Sequence, residues 1–158
     1  MSGEVILDVL GTRITSSVRD VLHENFEYSY CTYYNKDSDS LLSMLCEKYG
    51  TDKGEITSDG HPYPWPSHTY ADFMERHFAH CREYVRNIFE CGVGTNNPSL
   101  PSTMGPCGRP GASLKMWREY FPNASIYGAD IDETILFQGE RIATFPLDQT
   151  KPESISRL

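Results

Sequence analysis

The run Val85-Arg86-Asn87-Ile88-Phe89-Glu90-Cys91-Gly92-Val93-Gly94 constrains the fold of this chain more than any other stretch. A short segment with Ile88 and Phe89 at its centre leads straight into two glycines one residue apart. Such a run, stopped at once by glycine, reads as a buried strand of a parallel sheet. The glycines let the backbone turn sharply and let a ligand approach with no Cβ in the way. Two more strands are expected, over residues 124–129 ending at Asp130 and residues 141–147 ending at Asp148. Residues 111–121 predict a helix between the first two, with Leu114, Trp117 and Phe121 on its apolar side and Pro122-Asn123 as its stop. A short helix over 133–137 separates the second strand from the third. This alternation predicts an α/β, Rossmann-like fold with a parallel sheet and right-handed crossovers. Glu90 to Gly94, Asp130 and Asp148 then lie at the carboxyl ends of consecutive strands, where open α/β sheets bind ligands.

The sequence before this pattern is mostly helical in spacing. Residues 40–49 predict a helix capped by Ser40, with Leu41, Leu42, Leu45 and Cys46 on its apolar face and Gly50 at its end. A polar loop, Gly50-Thr51-Asp52-Lys53-Gly54, follows. Residues 59–67 hold Gly60, Pro62, Pro64 and Pro66 and are expected to be irregular. Residues 67–84 predict an amphipathic helix with Tyr70, Phe73, Met74, His77, Phe78 and Cys81 on one side. Val18, Val21, Leu22 and Phe26 predict a helix over 16–27, whereas residues 5–10 suit a strand or a helix and residues 28–34 a short strand or a packed loop. The expected division is a mainly helical N-terminal segment, 1–66, and a partial nucleotide-binding domain, 67–158.

Bulk properties narrow the function. The 158 residues fit about one domain, and 39% hydrophobic with 23% charged residues is ordinary for a globular protein. The net charge of -8 argues against nucleic acid and anionic membrane as partners, since phosphate backbones call for a clustered positive face. No apolar run approaches the roughly 18 residues of a membrane span, and the N-terminus lacks the features of a signal peptide. Five cysteines, with no CxxC pair, point to a reducing, cytoplasmic setting without structural disulfides or zinc. His77 and Cys81 lie one helical turn apart but read as part of an amphipathic helix rather than a metal site.

Two nucleotide-binding readings compete for the glycine turn. A dinucleotide site calls for G-x-G-x-x-G with an acid about 20 residues on. Here Thr95-Asn96-Asn97 follow Gly94, so the third glycine is missing, and 36 positions separate Gly94 from Asp130. A nicotinamide-dependent oxidoreductase is therefore disfavoured.

Glu90 to Gly94 resembles E-x-G-x-G, the first motif of the class I S-adenosylmethionine-dependent methyltransferases. Ile126-Tyr127-Gly128-Ala129-Asp130-Ile131-Asp132 resembles their second motif, and Leu147-Asp148-Gln149-Thr150 their third. Further blocks are Lys48-Tyr49-Gly50-Thr51-Asp52-Lys53-Gly54, His68-Thr69-Tyr70 with Glu75-Arg76-His77-Phe78, and Gly111-Ala112-Ser113-Leu114 with Trp117-Arg118-Glu119-Tyr120-Phe121-Pro122. Over about residues 41–151 the sequence is similar to the sugar O-methyltransferases of macrolide biosynthesis, the macrocin and mycinamicin type.

That resemblance implies S-adenosyl-L-methionine as cofactor, a sugar or natural-product hydroxyl as methyl acceptor, and magnesium in intact homologues. It implies Glu90 at the cofactor's ammonium, Gly92 and Gly94 beneath the methionine part, Asp130 on the ribose hydroxyls, and Asp148 with Gln149 beside the adenine. It implies Ser113 helping a helix N-terminus to receive the methionine carboxylate, and Tyr70 and the Gly50 to Gly54 loop closing over the cofactor. No catalytic base and no metal ligand can be assigned. The sequence departs from the family in the long loop 95–110 and in supplying about three parallel strands of a larger sheet, so the fold reads as truncated. An open sheet edge allows a homo-oligomer, and the second functional reading is a non-catalytic nucleotide-binding or assembly module. Asp132 reads as a helix cap and Trp117 as core; Lys53 reads as a solvated loop lysine, with contact to an acidic group of the cofactor as the alternative.

Overall fold

The computed structural model describes residues 4–9, 12–17, 39–56, 63–68, 70–100 and 102–156. Contacts divide the chain into two compact units, Met1–Tyr34 and Asn35–Leu158. The first contains two antiparallel strands, β1 (Glu4–Val9) and β2 (Thr12–Ser17), with Glu4 opposite Ser17 and Val9 opposite Thr12. Residues 5–10, which suit a strand or a helix, thus supply a strand. Ser16 and Ser17, placed at the start of a helix, end β2 instead. The two strands hold Val5, Ile6, Val9, Thr12, Ile14 and Thr15, and β-branched residues suit a pleated surface. Residues 18–27 and 28–34 lie outside the described residues.

The second unit begins with α1 (Leu41–Tyr49). Ser40 caps it by accepting from the Ser43 amide, and Gly50 closes it with an amide bond to the Cys46 carbonyl. Helix α2 (Tyr70–Phe78) is shorter than the spacing predicts, and residues 79–84 turn instead. Its anticipated apolar side packs only in part: Met74 packs against the core and Phe78 meets Phe121 edge-on, while Tyr70 and Phe73 are exposed and the most buried residues are Ala71 and Asp72. The reason is how α2 docks. Ala71 packs in the core, the Ala71 amide donates to the Lys53 carbonyl, and Glu75 accepts from the Leu42 amide at the start of α1.

The sheet follows as β3 (Asn87–Cys91), α3 (Ala112–Tyr120), β4 (Ser125–Asp130), a 3-10 turn (Glu133–Ile135), β5 (Gln138–Gly139) and β6 (Ile142–Pro146), with a short α4 (Pro152–Ile155) beyond. Strand order is β3-β4-β6-β5. The first three are parallel, and β5 pairs antiparallel with β6. The three expected parallel strands are thus present. The expected short helix over 133–137 is a single 3-10 turn leading into the small β5–β6 hairpin, where Arg141 takes a left-handed φ of 56°.

Helices cover one face of the sheet. Leu42, Leu45 and Cys46 of α1 meet Leu114, Met116, Trp117 and Tyr120 of α3, and Ile126 and Ile142 close the core from the strands. Burial pushes the Cys46 thiol up to about 12. On the other face Phe89 is 53% and Phe145 37% exposed, and Phe145 stacks on Tyr127 at 6.4 Å between ring centroids. β3 therefore departs from the buried strand expected of it. It is an edge strand among the described residues, with β4 on one side only, and its exposure alternates. No helix of the described residues is long and apolar enough to cross a membrane.

Candidate functional site

The glycine turn is held from the neighbouring strand. Gly92 and Gly94 take left-handed φ values of 82° and 89°, a region that residues with a Cβ seldom occupy. The Gly92 amide donates to the Ala129 carbonyl at 2.8 Å. Asp130, at the end of β4, is buried. Its Oδ2 accepts from the Val93 amide at 2.8 Å and the Gly94 amide at 3.2 Å, and its Oδ1 accepts from the Asp132 amide at 3.0 Å. Asp130 is thus a strut of the turn as well as an acid at its rim. A Cβ on Gly92 would meet no atom within 4 Å, so the turn faces open space there. On Gly94 it would run into the Met104 sulfur.

The long loop after Gly94 does not separate the turn from its helix. The Gly111 amide donates to the Val93 carbonyl at 2.9 Å, which brings the start of α3 back beside the turn. Between these points Thr95 and Asn96 organise the chain. The Thr95 carbonyl accepts from the Met104 amide, and the Asn96 side-chain amide donates to the Gly105 and Gly108 carbonyls. The Thr95 hydroxyl donates to Asp132, which also caps the 3-10 turn by accepting from Thr134. The Thr134 hydroxyl bond, followed by that from Thr95, holds the Asp132 carboxyl below the ordinary carboxylate range.

Glu90 sits under the other side of the turn. Its Oε1 accepts from the Ser113 hydroxyl at 2.8 Å, and its Oε2 from the Trp117 indole N–H at 2.7 Å. Lys53 Nζ lies 3.2 Å from Oε1. Ser113 and Trp117 are one turn apart on α3 and present one face to Glu90. That spacing was the signal in the sequence for a polar role of Trp117, which is both a core residue and a hydrogen-bond donor. Lys53, read as a solvated loop lysine, is instead largely buried and paired. The adjacent Asp52 accepts from the Trp65 indole at 2.7 Å and lies 3.6 Å from His68.

Two hollows flank the turn. One, of about 310 Å³, is lined by Cys91, Gly92, Gly94, Asp130, Asp148 and Gln149 among others. The other, of about 160 Å³, is lined by Glu90, Gly94, Ser113, Lys53, Trp65 and Arg109 among others. A wider open groove runs on past Ile131 and Leu147 to Phe145 and Lys151. Asp148 accepts from the Thr150 amide and hydroxyl and pairs with Lys151 at 3.0 Å. The Thr150 hydroxyl bond first, and then Lys151, bring its carboxyl down to about 2. Glu90, Gly92, Gly94, Asp130 and Asp148 therefore come together around one turn, with Ser113 reaching it through Glu90. Tyr70 does not line either hollow: it is 48% exposed and stacks on His68 at 4.7 Å.

The chain has counterparts among known proteins. No protein-family model matches the sequence. Over 117 residues, 74% of the chain, it is 31% identical to 8-demethyl-8-alpha-L-rhamnosyl tetracenomycin-C 2'-O-methyltransferase of Streptomyces olivaceus. It is 28% identical over 131 residues to demethylmacrocin O-methyltransferase of Streptomyces fradiae, which takes in 80% of the chain. A solved structure of the MycE methyltransferase of mycinamycin biosynthesis, in complex with Mg, SAH and mycinamycin VI, superposes on 78% of the chain with a TM-score of 0.53 and 29% identity. Over most of its length the chain is similar to class I S-adenosylmethionine-dependent methyltransferases of the macrocin and mycinamicin type. It spans 26% of the Streptomyces olivaceus methyltransferase, 31% of the Streptomyces fradiae one and 28% of the MycE chain. Within such methyltransferases the three strands and the Glu90 to Gly94 turn described here make up part of a Rossmann-like domain.

Proposed function

We propose that this chain binds S-adenosylmethionine across the Gly92–Gly94 turn and supplies that site for methylation of a hydroxyl on a sugar or small natural product. The carrying observation is the turn itself. It is open at Gly92, strutted by Asp130 from β4, and underlain by Glu90, which Ser113 and Trp117 hold in place. The larger hollow is at the lower end of the range for small-molecule sites, roughly 300–1,000 Å³. It presents Asp130 for a ribose diol and Asp148 with Gln149 for a nucleobase edge. The smaller hollow takes the amino-acid end, with Glu90 facing its ammonium. When bound, the cofactor supplies an activated methyl on a sulfonium sulfur. The chain's own part is to fix that cofactor, so that most of the rate comes from alignment of the methyl with the attacking oxygen.

Two relatives point to the acceptor class, because their names specify O-methylation of antibiotic precursors. A base must take the hydroxyl proton. The His68 imidazole lies 3.6 Å from Asp52. Among the described residues no group of three His, Cys, Asp or Glu side chains is placed to hold a metal ion. The free thiols of Cys46, Cys81, Cys91 and Cys107 support a reducing, cytoplasmic location.

Isothermal titration with S-adenosylhomocysteine, beside NAD, tests the reading. Saturable binding of S-adenosylhomocysteine alone is expected. Asp130→Ala should weaken it at least tenfold, since loss of a charged hydrogen-bond acceptor costs about 1.5–3 kcal/mol. Tight binding of NAD by the folded chain would contradict it.

A further inference from the structure

The smaller hollow carries charges of both signs in a definite arrangement. Glu90 forms its floor, and its two carboxylate oxygens accept from Ser113 and Trp117. Asp52, the other acid of the hollow, is taken up by the Trp65 indole and by His68. The basic groups are Lys53, with 23% of its side chain exposed, and Arg109. The Arg109 guanidinium lies against Gly50, where a Cβ would approach its Nη1 to 2.6 Å. Among the described residues it makes no ion pair with a carboxylate. The lining of the hollow therefore holds two carboxylates, each already bonded, and two cations, of which Lys53 pairs with Glu90 at 3.2 Å and Arg109 has no carboxylate partner among the described residues.

The Lys53 side is built, not incidental. The Lys53 carbonyl accepts from the Ala71 amide at 2.8 Å, and the Asp52 carbonyl from the His68 amide at 2.7 Å. These bonds fasten the 51–54 loop to the start of α2, and from that loop Lys53 meets Glu90 at 3.2 Å. Ser113, by contrast, gives its hydroxyl to Glu90 and is buried. The carboxylate-receiving part expected of Ser113 thus needs another holder.

From this arrangement we infer that Lys53 and Arg109 are the receptor for the α-carboxylate of the bound cofactor and make the site selective for an amino-acid-bearing nucleoside. This rests on the methyltransferase reading above. Lys53 reaches both its own Glu90 and the incoming carboxylate, so the zwitterionic end of the ligand completes an alternating row of charges. Guanidinium and ammonium donors form the stronger class of hydrogen bond with a carboxylate, and the partly closed hollow strengthens them over their value in water.

The test compares two ligands, S-adenosylhomocysteine and 5′-methylthioadenosine, which lacks the amino-acid end. Both are titrated into the full chain and into its Lys53→Met, Arg109→Met and Lys53→Arg variants. Each methionine variant should bind S-adenosylhomocysteine about tenfold more weakly, with 5′-methylthioadenosine changed less than twofold. Lys53→Arg should recover most of the loss. Unchanged S-adenosylhomocysteine affinity in both methionine variants would overturn the inference and leave the cofactor site standing. Equal loss of both ligands would also overturn it, because it would mark a structural part for these residues. A wild-type chain that binds neither nucleoside would remove the methyltransferase reading itself.

Discussion

Asp130 and Glu90 show how one acidic side chain can build a site and serve it. Each is surrounded by donors fixed in the fold: three backbone amides for Asp130, and a hydroxyl, an indole and an ammonium for Glu90. Both residues, with the two glycines, were legible in the sequence because E-x-G-x-G and an acid ending the next strand form an ordered pattern. The pairing of Lys53 with Glu90 was not: the Gly50 to Gly54 loop was expected over the cofactor, but no spacing in the sequence reveals that it turns back on Glu90. Tyr70 was placed at the site from its neighbourhood in sequence, yet it stacks on His68 outside both hollows. Asp148 gives a test by pH. Its folded carboxyl titrates at about 2 against an ordinary value of 3.8, so its bonds to Thr150 and Lys151 stabilise the fold fully above 3.8. That contribution is lost as the pH falls from 3.8 towards 2. The stability difference between wild type and Asp148→Asn, read from urea midpoints, should be constant near neutrality and shrink over that interval. A constant difference down to pH 2 would show that Asp148 is not so held.

Elements were easier to read than their ends. The strands and α3 have periodicity and hard stops, such as the glycines after β3 and Pro122 after α3. The β5–β6 hairpin was missed because its work is done by a single residue. Arg141, in its left-handed conformation, donates to the carbonyls of Arg118, Phe121 and Ala124 at 2.6, 3.0 and 2.6 Å. A cation at the carboxyl end of α3 satisfies groups that the helix cannot satisfy itself. Arg141→Met should therefore destabilise the chain by about 1–3 kcal/mol, seen as a lower urea midpoint with an unchanged slope. No change would mean that water replaces the guanidinium without cost. The N-terminal hairpin was misread for the opposite reason. Val18, Val21, Leu22 and Phe26 suit a helix, and their spacing drew the expected boundary back into residues that form β2.

Taken together, Asn35–Leu158 is a sheet with helices on one face and aromatic side chains bare on the other. Parallel sheets are ordinarily covered on both faces. Phe89 read in the sequence as part of a buried strand because an apolar run says which side chains share a strand but not whether a second layer lies over them. The edge position of β3 should appear in amide exchange. Gly92 donates to Ala129, so the amides of Asn87, Phe89 and Cys91 point away from β4. They should exchange much faster than those of β4, which is paired on both sides. Equal protection along β3 and β4 would reveal a partner strand on that edge.

The most direct test of cofactor binding at the glycine turn is to follow backbone amide resonances during a titration with S-adenosylhomocysteine. Saturating shifts should centre on Gly92, Val93 and Gly94 and extend to Asp130 and Asp148 on one side and to Lys53 and Ser113 on the other. Shifts confined to another surface, or none in a chain whose spectrum shows it folded, would contradict a cofactor site at this turn.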